Sequence, residues 1–270
     1  MSFVKILFLG FIIGVCAVNN KVHAQQLVVV KTLNLPVNDS IYVFLPESYH
    51  TTNQIYPVVF LLHGYNGNYK QFSKISDLQY LASELNFIIV CPDGLKNSWY
   101  VNSPVQEKMQ FEDFFVSDLV PYILLNYRVN QNSLYISGLS MGGHGALYLF
   151  NKYIHLFKAA GSMSGVVDLN SPFVKNSGLN EILGPYSANN KYYNSFSVIN
   201  NLNNIVLYQK PIIFDCGLSD VFLDINQNLY NQCQQLGMKV IFTTPEGKHN
   251  YDYWCKSLLA HLVFFYQLEN

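Results

Sequence analysis

Eight short apolar or alternating runs follow residue 24, and they set the expected architecture. They fall at Leu27–Leu33, Ile41–Leu45, Val58–Leu62, Phe87–Cys91, Leu134–Ser137, Ala159–Ser164, Ile212–Phe214 and Lys239–Thr244. Each has the length of a strand. Pro36-Val37-Asn38-Asp39 separates the first two and predicts an antiparallel hairpin. From the third run onward the strands are continuously apolar and alternate with helical patterns, which predicts a parallel sheet covered on both faces. Helices are expected at about Asp77–Leu85, Glu112–Asn126, Gly143–Tyr153, Asp224–Leu236 and Tyr253–Leu268. In the second, Phe114, Phe115, Leu119, Ile123 and Leu124 recur at helical spacing and form a core stripe.

The longest stretch between strands runs from about 166 to 210 and is rich in Asn, Ser and Tyr. A compact domain rarely holds so long a plain loop, so this segment is read as a small cap insertion, with short helices as the other reading. The first 24 residues read as an export signal. Lys5 supplies the positive start, Ile6 to Val18 the apolar run, and Val22-His23-Ala24 the cleavage positions before Gln25. The apolar run is short for a membrane span. Lipid attachment at Cys16 is the alternative, against which stands the bulk of Val15 just before it. Residues 25–270 are then one α/β domain, with no transmembrane helix expected in the mature chain.

Composition narrows the partners. The 270 residues are 50% hydrophobic, enough for one large core, and only 12% charged with a net charge of −1. No basic stripe supports a nucleic-acid partner. Cys91, Cys216, Cys233 and Cys255 remain after the signal, an even number that permits disulfides in an exported chain. Cys91 and Cys216 end apolar runs, where buried thiols fit equally well. No spacing resembles a metal site, so neither metal nor cofactor is expected.

The chemistry is concentrated at Gly138-Leu139-Ser140-Met141-Gly142, a G-x-S-x-G between a strand and a helix start. That context is the one a nucleophile elbow requires. A serine needs a base to take its proton and a carboxylate to orient the base. Both follow in order: Asp220 after the seventh run, and His249 after the last. Asp215 also follows the seventh run and competes with Asp220, which could equally cap the next helix. None of His144, His63, His50, His155 and His261 lies in the loop directly after the last strand. The Met141 N–H and the Tyr65 N–H, in the glycine-bearing loop after the third strand, are the expected oxyanion donors.

The series Leu61-Leu62-His63-Gly64, Pro92-Asp93-Gly94 with Asn97-Ser98-Trp99-Tyr100, Phe111-Glu112-Asp113-Phe114, Gly138 to Gly143, Asp215-Cys216-Gly217 with Asp220 to Leu223, and His249 with Trp254 resembles the α/β-hydrolase esterase family. That family groups feruloyl and acetylxylan esterases, S-formylglutathione hydrolase (esterase D), tributyrin esterases, enterochelin-type esterases and mycolyltransferases. The resemblance covers roughly Tyr42 to Tyr266 and implies Ser140 as nucleophile, Asp220 as acid, His249 as base, and Tyr65 and Met141 as oxyanion donors. It also implies that Trp99 and Tyr100 lie near the substrate, although an aromatic core contact explains them as well. It assigns no role to Glu112 and Asp113.

The expected function is an exported serine esterase acting on acetyl or feruloyl esters of carbohydrate, or on short-chain acyl esters. The substrate would be a small molecule or attached to polysaccharide. Alternatives with the same machinery are an S-formylglutathione hydrolase-like thioesterase, a siderophore esterase and an acyltransferase. A silent binding protein on a hydrolase scaffold is the non-enzymatic alternative.

Overall fold

The computed structural model describes residues 25–187 and 189–270. The expected export signal, residues 1–24 with Cys16, lies outside the described residues. One eight-stranded sheet carries the order β1-β2-β4-β3-β5-β6-β7-β8. Its strands are β1 Gln25–Val30, β2 Asp39–Phe44, β3 Tyr56–Leu62, β4 Ile88–Cys91, β5 Val129–Gly138, β6 Ala159–Met163, β7 Ile212–Asp215 and β8 Val240–Thr243. The hairpin expected around Pro36 is present: β1 and β2 pair antiparallel from Gln25↔Phe44 to Val30↔Asp39. β2 also runs antiparallel to β4, and all later pairings are parallel.

Two strands depart from their hydropathy. β5 begins at Val129, through Asn130, Gln131, Asn132 and Ser133, because Val129 already pairs with Tyr56 and the residues between it and Leu134 bulge out of register with β3. These polar residues hide the strand from an apolar pattern. β8 is an edge strand with alternating partly buried and exposed residues, so only Val240 and Phe242 pack inward.

Helices cover both faces, at Leu78–Leu85, 111–126, Met141–Lys152, Leu223–Gln235 and Tyr251–Gln267. The helix over 111–126 is continuous but widens to a π-helical turn at Phe114–Leu119, just before Pro121. Its start is held by Glu112. This buried carboxylate accepts from the Tyr148 hydroxyl at 2.7 Å and the Tyr153 hydroxyl at 2.6 Å, and pairs with Lys152. Glu112 thereby fastens this helix to the helix that follows β5. The stretch from 166 to 210 carries the short helices Leu179–Leu183, Lys191–Phe196 and Asn203–Tyr208 with two 3-10 turns. Cys91, Cys216 and Cys233 are buried free thiols and Cys255 an exposed one.

β3 is followed in sequence by β4 on one side, yet β5 lies on its other side. The strand order reverses there, and a crevice opens at the carboxyl ends of β3 and β5. Close backbone approach shapes it. A Cβ on Gly142 would run into the Leu62 carbonyl at the end of β3, and one on Gly138 into the backbone of Gly142. Gly142→Ala is therefore expected to lower stability by about 1–3 kcal/mol through overpacking against backbone, read as a lower urea midpoint at unchanged slope.

Candidate active site

Ser140 joins β5 to the helix Met141–Lys152 with φ 55° and ψ −116°, a strained setting for a residue with a side chain. The surroundings enforce it. Its N–H donates to the Met163 carbonyl of β6 at 2.9 Å, and its own carbonyl accepts from Val166 at 3.2 Å and His144 at 3.1 Å. Asp220 and His249 come from neighbouring loops laced together by backbone bonds. Leu218 N–H donates to Pro245 at 3.0 Å and Ser219 N–H to Gly247 at 2.9 Å.

The three side chains meet. His249 Nε2 lies 2.9 Å from Ser140 Oγ, and its Nδ1 lies 2.8 Å from Asp220 Oδ2. Asp220 Oδ1 accepts the Phe222 N–H at 2.9 Å. Burial alone would raise this carboxyl. The hydrogen bond and charge of His249, with the Phe222 N–H, outweigh burial and hold it below the ordinary carboxylate value. The His249 ring is flanked edge-on by Phe222 and Trp254, at centroid distances of 5.0 and 4.8 Å. Asn250, the next residue, caps the final helix by accepting from Tyr253 N–H at 3.1 Å.

Tyr65 and Met141 line the same cavity as Ser140. The N–H groups beside Tyr65 are committed: Gly64 donates to Gln71 Oε1 at 2.7 Å and Asn66 to the Lys96 carbonyl at 3.0 Å. Among the described residues the Tyr65 N–H has no such acceptor, nor does the Met141 N–H at the helix start. Two donors thus stand ready beside the serine. Gln71 also donates from Nε2 to the Tyr251 hydroxyl at 3.3 Å, bracing the loop after β3. No motif announces Gln71.

The cavity has a volume of about 240 Å³. Trp99, Phe222 and Trp254 give it aromatic walls, and Val166, Phe173 and Val174 close it from the 166–210 stretch. Trp99 thus lines this cavity. Tyr100 does not. It is fully buried, donates its hydroxyl to the His63 carbonyl at 2.8 Å and packs edge-on against Phe111. It supports the loop after β3 from behind and does not touch the cavity. Burial pushes its hydroxyl well above the usual tyrosine value, so it remains a donor.

Asp215, the competing acid, is turned to other partners. Its carboxylate accepts from the Tyr253 hydroxyl, from Ser257 Oγ at 2.6 Å and from His261 Nε2 at 2.8 Å. His261 Nδ1 in turn lies 2.8 Å from Ser137 Oγ. This second serine–histidine–aspartate series is buried in the core. It ties β5 and β7 to the final helix and presents no hydroxyl to a cavity. His144 is also structural. Its Nδ1 and Nε2 lie 3.2 Å from the Trp99 carbonyl and 2.9 Å from the Phe196 carbonyl. Burial pushes it down to about 4, against the pull of both carbonyls.

Among the described residues no cluster of three or more His, Cys, Asp or Glu side chains is arranged to hold a metal ion. No helix among them is long and apolar enough to cross a membrane.

The Esterase family model matches residues 34–265. An esterase of Mycobacterium tuberculosis is 36% identical over 143 residues, covering 50% of this chain and 31% of its own length. The chain thus spans about a third of that relative. An acetyl esterase of Caldicellulosiruptor saccharolyticus is 28% identical over 211 residues, covering 73% of this chain and 79% of its own. Among solved structures, a ferulic acid esterase superposes with a TM-score of 0.77 at 25% identity, covering 91% of this chain and 98% of its own. The S-formylglutathione hydrolase of Agrobacterium tumefaciens shares the fold, with a TM-score of 0.76 at 20% identity over 92% of this chain and 97% of its own.

The two aspartates predict different phenotypes. Asp215→Asn places an amide among three donors and is expected to cost about 3 kcal/mol of stability in urea unfolding. Asp220→Asn, with two donors to its carboxylate, one of them on the partly exposed His249, is expected to cost less than half of that. An equal loss would contradict the division between a structural and a site carboxylate.

Proposed function

The chain belongs to the esterase family of the α/β-hydrolase superfamily, and from that premise we propose that it is an exported serine esterase. The observation that carries the reading is the unbroken run from Ser140 Oγ through His249 to Asp220, at 2.9 and 2.8 Å. In this reading Ser140 Oγ attacks the ester carbonyl as His249 Nε2 takes its proton. Asp220 keeps the Nδ1 proton in place and stabilises the imidazolium that forms. The N–H groups of Tyr65 and Met141 hold the tetrahedral oxyanion. His249 then protonates the leaving alcohol. Water repeats the sequence on the acyl-enzyme and releases the acid.

The substrate class follows from the walls and the relatives. Aromatic and aliphatic side chains around Ser140 suit an acetyl or an aryl acyl group, and the acetyl esterase and ferulic acid esterase bear names in that range. We therefore propose acetyl or feruloyl esters of carbohydrate as substrates, with short-chain acyl esters also accepted. Export rests on the pattern of residues 1–24, with cleavage after Ala24.

Ser140→Ala is expected to lower p-nitrophenyl acetate hydrolysis by at least 10³-fold in a protein that unfolds like the parent. Turnover at the parent rate would overturn the mechanism, and a parent without turnover would favour a binding protein. With Asp220 held ionised below the usual carboxylate range, its carboxylate adds no protonation step to the acid side of the general base. A plot of log kcat/KM against pH is expected to fall with slope one as pH drops. A slope of two would mean that the carboxylate titrates with it. A panel of acetylated xylan, ethyl ferulate, p-nitrophenyl butyrate, S-formylglutathione and a siderophore trilactone ranks the acyl and alcohol groups.

A further inference from the structure

A second cavity of about 290 Å³ lies wholly within the 166–210 stretch. Val174 belongs to its wall and to the wall of the Ser140 cavity, so one side chain separates the two. Both walls are mainly apolar, with polar heads set among them. Around Ser140 the wall is mainly aromatic and aliphatic. The second wall adds Ser171, Lys175, Asn180 and Tyr186, whose polar heads bond to nothing else among the described residues. Tyr186 and Tyr193 form an edge-to-face pair there, with centroids 5.0 Å apart.

We propose that this second cavity is a subsite for the sugar ring that carries the ester. A sugar offers many hydroxyls, each a donor and an acceptor, on a ring with apolar C–H faces. Hydroxyl and amide heads can both give and accept hydrogen bonds, and an ammonium gives three. An aromatic wall supplies area for the C–H face at low entropic cost. The other polar side chains near the cavity are already used to build it. The Tyr193 hydroxyl donates to the Gly184 carbonyl at 3.0 Å, and Asn190 Nδ2 donates to Leu183 and Pro185 carbonyls at 3.0 and 2.9 Å. Asn170 Nδ2 is held by Asp168 and Asn194.

The wall is also anchored to the domain. Ser103 Oγ donates to the Ile182 carbonyl at 2.6 Å, Gln106 Nε2 to the Glu181 carbonyl at 2.6 Å, and Asn97 Nδ2 to the Glu181 carboxylate at 2.9 Å. A subsite braced in this way is formed before the ligand arrives, which lowers the ordering cost of binding. The acyl group occupies the cavity at Ser140 and the sugar occupies the neighbouring one across Val174.

This subsite rests on the serine-esterase reading, and the test keeps the two apart. The acyl group is held constant, acetyl or feruloyl, whichever the parent cleaves faster as a simple aryl or methyl ester. That ester is compared with a xylo-oligosaccharide bearing the same acyl group. In Tyr186→Ala and Asn180→Ala the ratio of kcat/KM for the oligosaccharide to that for the simple ester is expected to fall at least tenfold, carried by KM. Tyr186→Phe is expected to keep most of the ratio. In Ser140→Ala, a deacylated xylo-oligosaccharide titrated by NMR is expected to shift amide resonances in the 166–210 stretch, and Tyr186→Ala to abolish those shifts. An unchanged ratio, equal losses on both substrates, no turnover of the acylated oligosaccharide by the parent, or an absence of shifts overturns the subsite. Failure of the underlying reading shows separately, as simple-ester hydrolysis that survives Ser140→Ala.

Discussion

The contact between Gly142 and the Leu62 carbonyl is the constraint on which the rest of the site depends. It sets how closely the helix after β5 approaches the end of β3. At that distance the helix start and the loop after β3 share one crevice, which Met141 and Tyr65 both line. The same approach requires the chain to turn at Ser140 through a left-handed backbone setting. The strain is of the order of 1–3 kcal/mol. It is offset by backbone hydrogen bonds to β6 and to the segment after it.

The molecule contains two serine–histidine–aspartate series, and comparing them shows what geometry alone leaves undecided. Ser137, His261 and Asp215 are linked at distances much like those of Ser140, His249 and Asp220. The first serine lies within a regular strand, in the core, under the final helix. The second lies on a strained turn beside a cavity and two unbonded N–H groups. Strand position, exposure and nearby unbonded N–H groups separate the two series, and hydrogen-bond distance does not.

Much of this was legible in the sequence, for identifiable reasons. The central parallel strands are buried on both faces, so their apolar runs are nearly unambiguous, and the order serine, aspartate, histidine at successive strand ends can be read directly. What escaped depended on side-chain direction or on distant partners. Trp99 and Tyr100 are adjacent with similar backbone angles, yet only Trp99 reaches the cavity. Asp215 ends β7 and Asp220 lies in the loop that follows, and their contacts with the final helix and with His249 distinguish them. Glu112 reads as an ordinary acidic helix start until Tyr148 and Tyr153 are seen to converge on it. The polar opening of β5 lacked the hydropathy that marks a strand.

The closure of the Ser140 cavity by Val166, Phe173 and Val174 has a consequence for how such a chain can diversify. The proposed reacting groups hang from loops at the ends of β3, β5, β7 and β8, whereas this side of the wall belongs to one contiguous stretch packed on the main core. Insertions, deletions and exchanges within that stretch can remodel which molecules are admitted while the reacting groups keep their register. Chemistry and selectivity are in this sense separately inherited parts of one domain.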